Sequence, residues 1–280
     1  MGRKGTDVGA VRVRARGKLH GESREGGSSV HATIQKPLDE ILDALREGEK
    51  VMVVGCGNCA AKAKSGGEPE TEAMVERLRA KGVMVTGWAV PPNGGSLCKL
   101  SATSKLLNED HGEESEAADS FLVLACGQGI HTVIDATDAR AVHPGCDTIF
   151  GGETVADDFI TEYCSLCGEC VLENTGGLCP ITLCAKSLLN GPCGGAKDGK
   201  CEVDPERDCG WRLIFERLRE LGREDLMLKY QPPKNWLRSG SPRSLNMVGT
   251  RADFSFANAT VTAWSGAEGP EEGARGGQGG

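Results

Sequence analysis

VMVVGCGNCA, residues 51–60, is the stretch whose reading decides the fold. Val51 to Val54 form an apolar run of strand length with no polar alternation, as in a strand buried on both faces. Gly55 and Gly57 then allow a tight turn. Cys56 and Cys59 stand on that turn at Cys-x2-Cys spacing. Upstream, Leu38, Ile41, Leu42 and Leu45 recur at helical spacing, with Lys36-Pro37 ahead and Gly48 behind. Downstream, the stretch from Glu70 to Lys81 reads as a helix with Met74, Val75 and Leu78 inward and Gly82 at its stop.

The alternation continues. VMVTGWAV (Val83 to Val90) is a second strand, followed by the turn PPNGG and Cys98. Lys99 to Leu107 reads as a helix, and Glu109 to Asp119 as an acidic link. FLVLAC (Phe121 to Cys126) is a third strand, GIHTVIDATDA opens a further helix, and AVHPGCDTIF (Ala141 to Phe150) is a fourth strand and its exit. Strand-helix repetition of this kind implies an α/β fold with an open, mainly parallel sheet and right-handed crossovers. The expected order is an arm (residues 1–33), an α/β domain (34–155), a cysteine-rich metal-binding domain (156–236) and a tail (237–280). The arm is rich in Arg, Lys, Gly and Ser, the tail in Gly, and both are expected to be disordered.

Ligands of open sheets sit beyond the carboxyl ends of the strands. Cys56 and Cys126 end strands there, Cys98 follows the turn after the second strand, and Cys59 is the partner of Cys56. These four thiols are expected to converge on one [4Fe-4S] cluster if the strand order allows it. The same loop also satisfies G-x-G-x-x-A, a dinucleotide fingerprint. The acidic residue expected at the end of the second strand is missing, however, since that strand runs into Trp88-Ala89-Val90-Pro91. Cys146 has no near partner and reads as a small buried residue. His131 and His143 are placed near the cluster edge, able to tune it or simply hydrogen-bonded at element ends.

Eight of the 13 cysteines crowd between Tyr163 and Cys209. They are Cys164, Cys167, Cys170, Cys179, Cys184, Cys193, Cys201 and Cys209. The Cys-x2-Cys-x2-Cys run places three thiolates on one turn, suiting iron-sulfur or zinc better than a disulfide. The run lacks the x3-Cys-Pro ending of bacterial ferredoxins; Cys179-Pro180 comes after eight residues. Trp211, Ile214, Phe215, Leu218 and Leu221 then describe an amphipathic packing helix, with Asp208 as its expected cap and Gly222 as its stop. QPPKNW follows as a proline-fixed segment carrying a tryptophan anchor.

Composition excludes some functions. Apolar residues make up 39% and charged residues 26%, and the net charge of -8 with pI near 5.3 opposes broad nucleic-acid binding. The start has charges but no apolar signal core, and no apolar run is long enough to span a membrane. A cytoplasmic location is therefore expected, where thiols stay reduced and short cysteine spacings mean metal.

EYCSLCGEC, TGGLCP, KSLLNGPCGG, GKCEV, CGW and PPKNW together resemble the C-terminal-type cysteine domain associated with methylenetetrahydrofolate reductase. VVGCGNCAAKAKSGGEPETE, VLACGQG and DTIFGGE resemble the matching N-terminal half, so that residues 34 to 236 are similar to the V-type partner subunit of the two-subunit bacterial reductase. The resemblance implies a non-catalytic iron-sulfur subunit that relays electrons to FAD on a separate barrel subunit, with further electron-donor subunits as additional partners. Cys56, Cys59, Cys98 and Cys126 would hold one cluster. Cys164, Cys167 and Cys170 would anchor another, its fourth ligand drawn from the later cysteines. Two alternatives stand beside this reading: a zinc-stapled docking subunit without redox role, and a thiol-disulfide reductase using Cys56 and Cys59.

Overall fold

The computed structural model describes residues 28–138, 140–156 and 159–241. They form two compact units, one of residues 28–165 with 171–231 and one of residues 166–170 with 232–241.

In the larger unit the elements run β1 (Ser29–Gln35), α1 (Leu38–Ala44), β2 (Lys50–Gly55), the single turn α2 (Cys59–Lys62), α3 (Glu68–Ala80) and β3 (Met84–Ala89). Then follow α4 (Leu100–Lys105), a π turn (Leu106–Asp110), α5 (Gly112–Glu116), β4 (Ser120–Leu124), α6 (Gly127–Ala136), β5 (Ala141–Pro144), β6 (Cys146–Ala156) and β7 (Phe159–Thr161). Two α-helices, the single turn α7 (Pro180–Leu183) and α8 (Gly210–Glu220), and two 3-10 turns, Leu172–Thr175 and Glu224–Leu228, follow among the described residues.

Four strands form a sheet in the order β3-β2-β4-β5, each neighbouring pair parallel. Successive residues of β2 point to opposite faces. Val51 and Val53 pack with Ile41, Met74, Val75 and Leu78 from α1 and α3. Met52 and Val54 pack with Leu97, Leu106, Leu107 and Val133 on the other face. Both faces are covered, which is why VMVV needs no polar alternation. Helix α3 starts slightly earlier than expected, because the Gly67 N–H donates to Glu70 Oε2 at 3.0 Å and Pro69 suits a first turn.

Three features correct the sequence reading. AVHPGCDTIF is two strands in two sheets: β5 closes the parallel sheet, and β6 is the centre of an antiparallel sheet ordered β1-β6-β7. The break is Gly145, whose N–H donates to the Val123 carbonyl at 2.9 Å and where a Cβ would lie 2.4 Å from Leu124 Cδ2. β1 is the second. The expected arm already pairs with β6 from Ser29 onward, while residues 1–27 of that arm and 242–280 of the expected tail lie outside the described residues. A bulge between Ala32 and Thr33 breaks the alternation, so Val30, Ala32 and Thr33 are buried and Ile34 is exposed. Third, the acidic link is structured, as the π turn and α5.

A side-chain contact staples β5 to the residue just before β2. His143 Nε2 lies 3.1 Å from Glu49 Oε1, whose side chain is only 7% exposed. Burial alone would raise the Glu49 pKa. The Arg46 backbone N–H and His143 outweigh it and hold the carboxyl below its ordinary value. A depressed carboxyl pKa contributes stability that is present above the unfolded value, 4.5, and is lost as pH falls through the folded value. Glu49→Gln is therefore expected to cost about 1–3 kcal/mol at neutral pH and to flatten the acid limb below pH 4.5. Urea midpoints measured across pH test this; an unchanged acid limb would rule the staple out.

Candidate metal centres

β2 and β4 are neighbours in register, Gly55 opposite Leu124, so their carboxyl ends open side by side. Strands β2 and β3 lie to one side of this opening and β4 and β5 to the other, making it the switch point of the sheet. Cys56 leaves β2 at this point and is buried, and Cys126 leaves β4 here, also buried, as the N-cap residue of α6. Cys59 is half-buried as the first residue of α2, and Cys98 is exposed with its Sγ 3.3 Å from Ser96 Oγ. Gly57 brings the β3 turn down onto this loop: a Cβ there would stand 2.6 Å from the Pro91 carbonyl oxygen and 2.9 Å from that of Gly95. That approach carries Cys98 toward the other three.

The electrostatics register the convergence. Burial pushes the Cys59 thiol up, the His31 backbone N–H opposes the rise, and the charges of Cys56, Cys126 and Cys98 add to it. Negative charge that is disfavoured at Cys59 becomes tolerable once a cation lies beside it, and binding then releases the proton. The ten-residue helix α6 starts at Cys126 and directs its N-terminal dipole at the group. The His31 contact was not legible in sequence, because a backbone N–H leaves no residue-type signal.

The dinucleotide reading of this loop does not survive its geometry. The space above Gly57 is occupied by two carbonyl oxygens and α2 is a single turn, so the loop lacks the amide cradle and helix of a dinucleotide site. His131 is exposed and paired with Asp135 at 3.1 Å, and His143 is committed to Glu49, so neither serves the thiols. Cys146 is buried, its Sγ donating to the Ser65 carbonyl at 3.5 Å, and burial pushes its thiol up to about 12. It behaves as the small core residue expected.

A second gathering forms in residues 171–231. Asp198 and Gly199, both at positive φ, turn a short hairpin in which Cys201 N–H donates to the Arg207 carbonyl and Cys209 N–H to that of Gly199, each at 2.9 Å. Cys209, rather than Asp208, is the N-cap residue of α8; Asp208 instead pairs with Lys200 at 3.0 Å and Arg212 at 3.4 Å. α8 ends at Gly222, as expected, with φ of +63°. A Cβ on Gly210 would lie 2.6 Å from the Leu183 carbonyl, so the chain before Cys184 abuts the start of α8. Cys184, Cys193, Cys201 and Cys209 line one small cavity of ≈ 20 Å³ beside Trp211. The Trp211 indole N–H donates to the Leu188 carbonyl at 2.9 Å and holds that wall.

Of the other four, Cys164 is exposed and Cys179 is half-buried as the N-cap residue of α7, both in the larger unit. Cys167 (buried) and Cys170 (exposed) belong to the smaller unit. No disulfide is present among the described residues, which include every cysteine. Nor do three or more His, Cys, Asp or Glu side chains among the described residues close to ligand distance around one metal ion. The thiols are brought to common places without being drawn onto a point.

A parallel α/β sheet with thiols gathered at its switch point, followed by a small thiol-lined cavity under an amphipathic helix, defines an α/β protein with two cysteine gatherings. Residues 143–237, about one third of the chain, match the family model described as Methylene-tetrahydrofolate reductase C terminal. No curated protein and no solved structure gives a significant match. Among the described residues no helix is long and apolar enough to cross a membrane.

Proposed function

We propose that this chain is the iron-sulfur subunit of a methylenetetrahydrofolate reductase complex, relaying electrons to FAD on a separate barrel subunit. The observation that carries the reading is the meeting of thiols at the sheet switch point, where Cys56 and Cys126 leave neighbouring strands side by side and the Cys59 thiol feels the charges of Cys56, Cys126 and Cys98. The family match over residues 143–237 supports the choice of complex. Four cysteines are the usual ligand complement of a [4Fe-4S] cluster, and such a cluster supplies one-electron transfer when bound. The chain's part is to hold it with soft thiolates, to shield it through the burial of Cys56 and Cys126, and to offset its charge with the α6 dipole.

One observation favours zinc at the other quartet. Cys184, Cys193, Cys201 and Cys209 line one small cavity, and four thiols around one site are the usual ligand set of a tetrahedral structural zinc. The local core is small, and a structural ion is a common remedy for that. In this reading zinc staples the quartet while the sheet edge carries the redox centre.

Iron and zinc per chain, measured on protein purified without oxygen together with its flavin-containing partner, test both readings. Iron at cluster stoichiometry with a broad visible absorbance that bleaches on reduction is expected, together with zinc that Cys201→Ser alone removes. A colourless preparation carrying only zinc would defeat the electron relay and leave the docking role.

A further inference from the structure

Lys234 is buried, 7% exposed, in the smaller unit. It is carried by the proline-fixed segment Pro232-Pro233-Lys234-Asn235-Trp236, which lies against the Leu166–Cys170 turn. Three contacts tie the two pieces together. The Lys234 ammonium donates to the Glu169 carbonyl, the Asn235 N–H donates to Glu169 Oε2 at 2.7 Å, and Gly168 fits so closely that a Cβ would stand 2.8 Å from Arg238 Cβ. Gly168 adopts a φ of +77°, which also favours glycine here. The Cys167 thiol donates to the same Glu169 carbonyl at 3.8 Å. One oxygen thus receives both the ammonium and the thiol.

A buried ammonium is strongly disfavoured unless negative charge opposes it. Its direct partners are a carbonyl oxygen and the Trp236 ring, 6.0 Å from Nζ, which offer only partial charge, and the one carboxylate in the turn, that of Glu169, is engaged by the Asn235 N–H. Thiolates at Cys167 and Cys170 would offer whole charges. Cys167 must lose its proton to bind metal, which ends its hydrogen bond and leaves the carbonyl to Lys234.

We propose that Lys234 is a positioning residue for a metal centre at Cys167 and Cys170: it fixes the Cys-Gly-Glu-Cys turn through the Glu169 carbonyl, the oxygen that also receives the Cys167 thiol, and places a compensating positive charge within that turn. This rests on the reading of these cysteines as metal ligands. A buried cation next to a thiolate-bound centre favours its more negative form, which raises the reduction potential of a redox centre and strengthens retention of any metal.

The test uses the full chain, loaded with metal without oxygen, as wild type, Lys234→Met, Lys234→Arg and Cys170→Ser. Lys234→Met keeps the bulk and removes the charge. Its metal is expected to be lost to a competing chelator about 10–100-fold more readily, its reduction potential to become more negative, and Lys234→Arg to restore both. Lys234→Met with unchanged circular dichroism, retention and potential would overturn the proposal while the metal reading stood. Metal content unaffected by Cys170→Ser would overturn both.

Discussion

Cys126→Ser is expected to abolish the visible absorbance of the chain and to weaken iron retention by at least about 100-fold, a loss no smaller than that from removing a residue supporting a metal ligand. Serine offers a harder oxygen that is far less acidic than a thiol, so it ligates soft metal poorly. The change should leave the sheet intact. Serine is close in size, and at the N-cap of α6 it is a favoured residue, able to accept from the amides of the first turn. Loss of metal without loss of fold is therefore the expected signature, read by iron analysis alongside circular dichroism. If Cys126→Ser kept its iron and colour, the sheet-edge centre would have to be abandoned. Cys146→Ser is the control: this thiol bonds to Ser65 within the core, so iron content should not change.

Ile214→Ala is expected to cost about 2–5 kcal/mol, enough to unfold residues 171–231 locally. Ile214 is fully buried at the centre of a core whose other buried members are only Trp211, Leu218 and Leu226. A core this small has little margin, and the cavity left by truncation cannot be filled by α8, which is pinned by Trp211 to the Leu188 carbonyl. Because Cys184 and Cys209 pack against this same core, metal bound by them should restore part of the loss. Limited proteolysis of metal-loaded and chelated protein measures both effects. Equal cleavage of Ile214→Ala and wild type would show that α8 does not hold the cavity wall.

Some of this was written plainly in the chain. The unbroken VMVV and FLVL runs specify strands covered on both faces, and the helices between them specify parallel pairing, because period and burial are local properties of sequence. Helix α8 was legible for the same reason. β1 was not: its bulge at Ala32 and Thr33 arises from pairing with β6, more than a hundred residues away, and it scrambles the alternation that would have marked a strand. The division of AVHPGCDTIF at Gly145 was hidden too, since one run of strand-forming residues serves two sheets.

For the thiols the boundary falls differently. Residue identity alone determined which cysteines stand at strand ends and which crowd into the glycine-rich turns, because spacing along the backbone fixes the reach of each loop. Strand order is a long-range choice that no local pattern records. Only the tertiary structure set β2 beside β4, brought Cys56 next to Cys126, lowered the Pro91 turn onto Gly57, grouped Cys184, Cys193, Cys201 and Cys209 around one cavity, and buried Lys234 against the Cys167 turn. Each of these depends on which surfaces pack together, and packing is decided by the whole chain's burial of apolar area, with no counterpart in any single stretch.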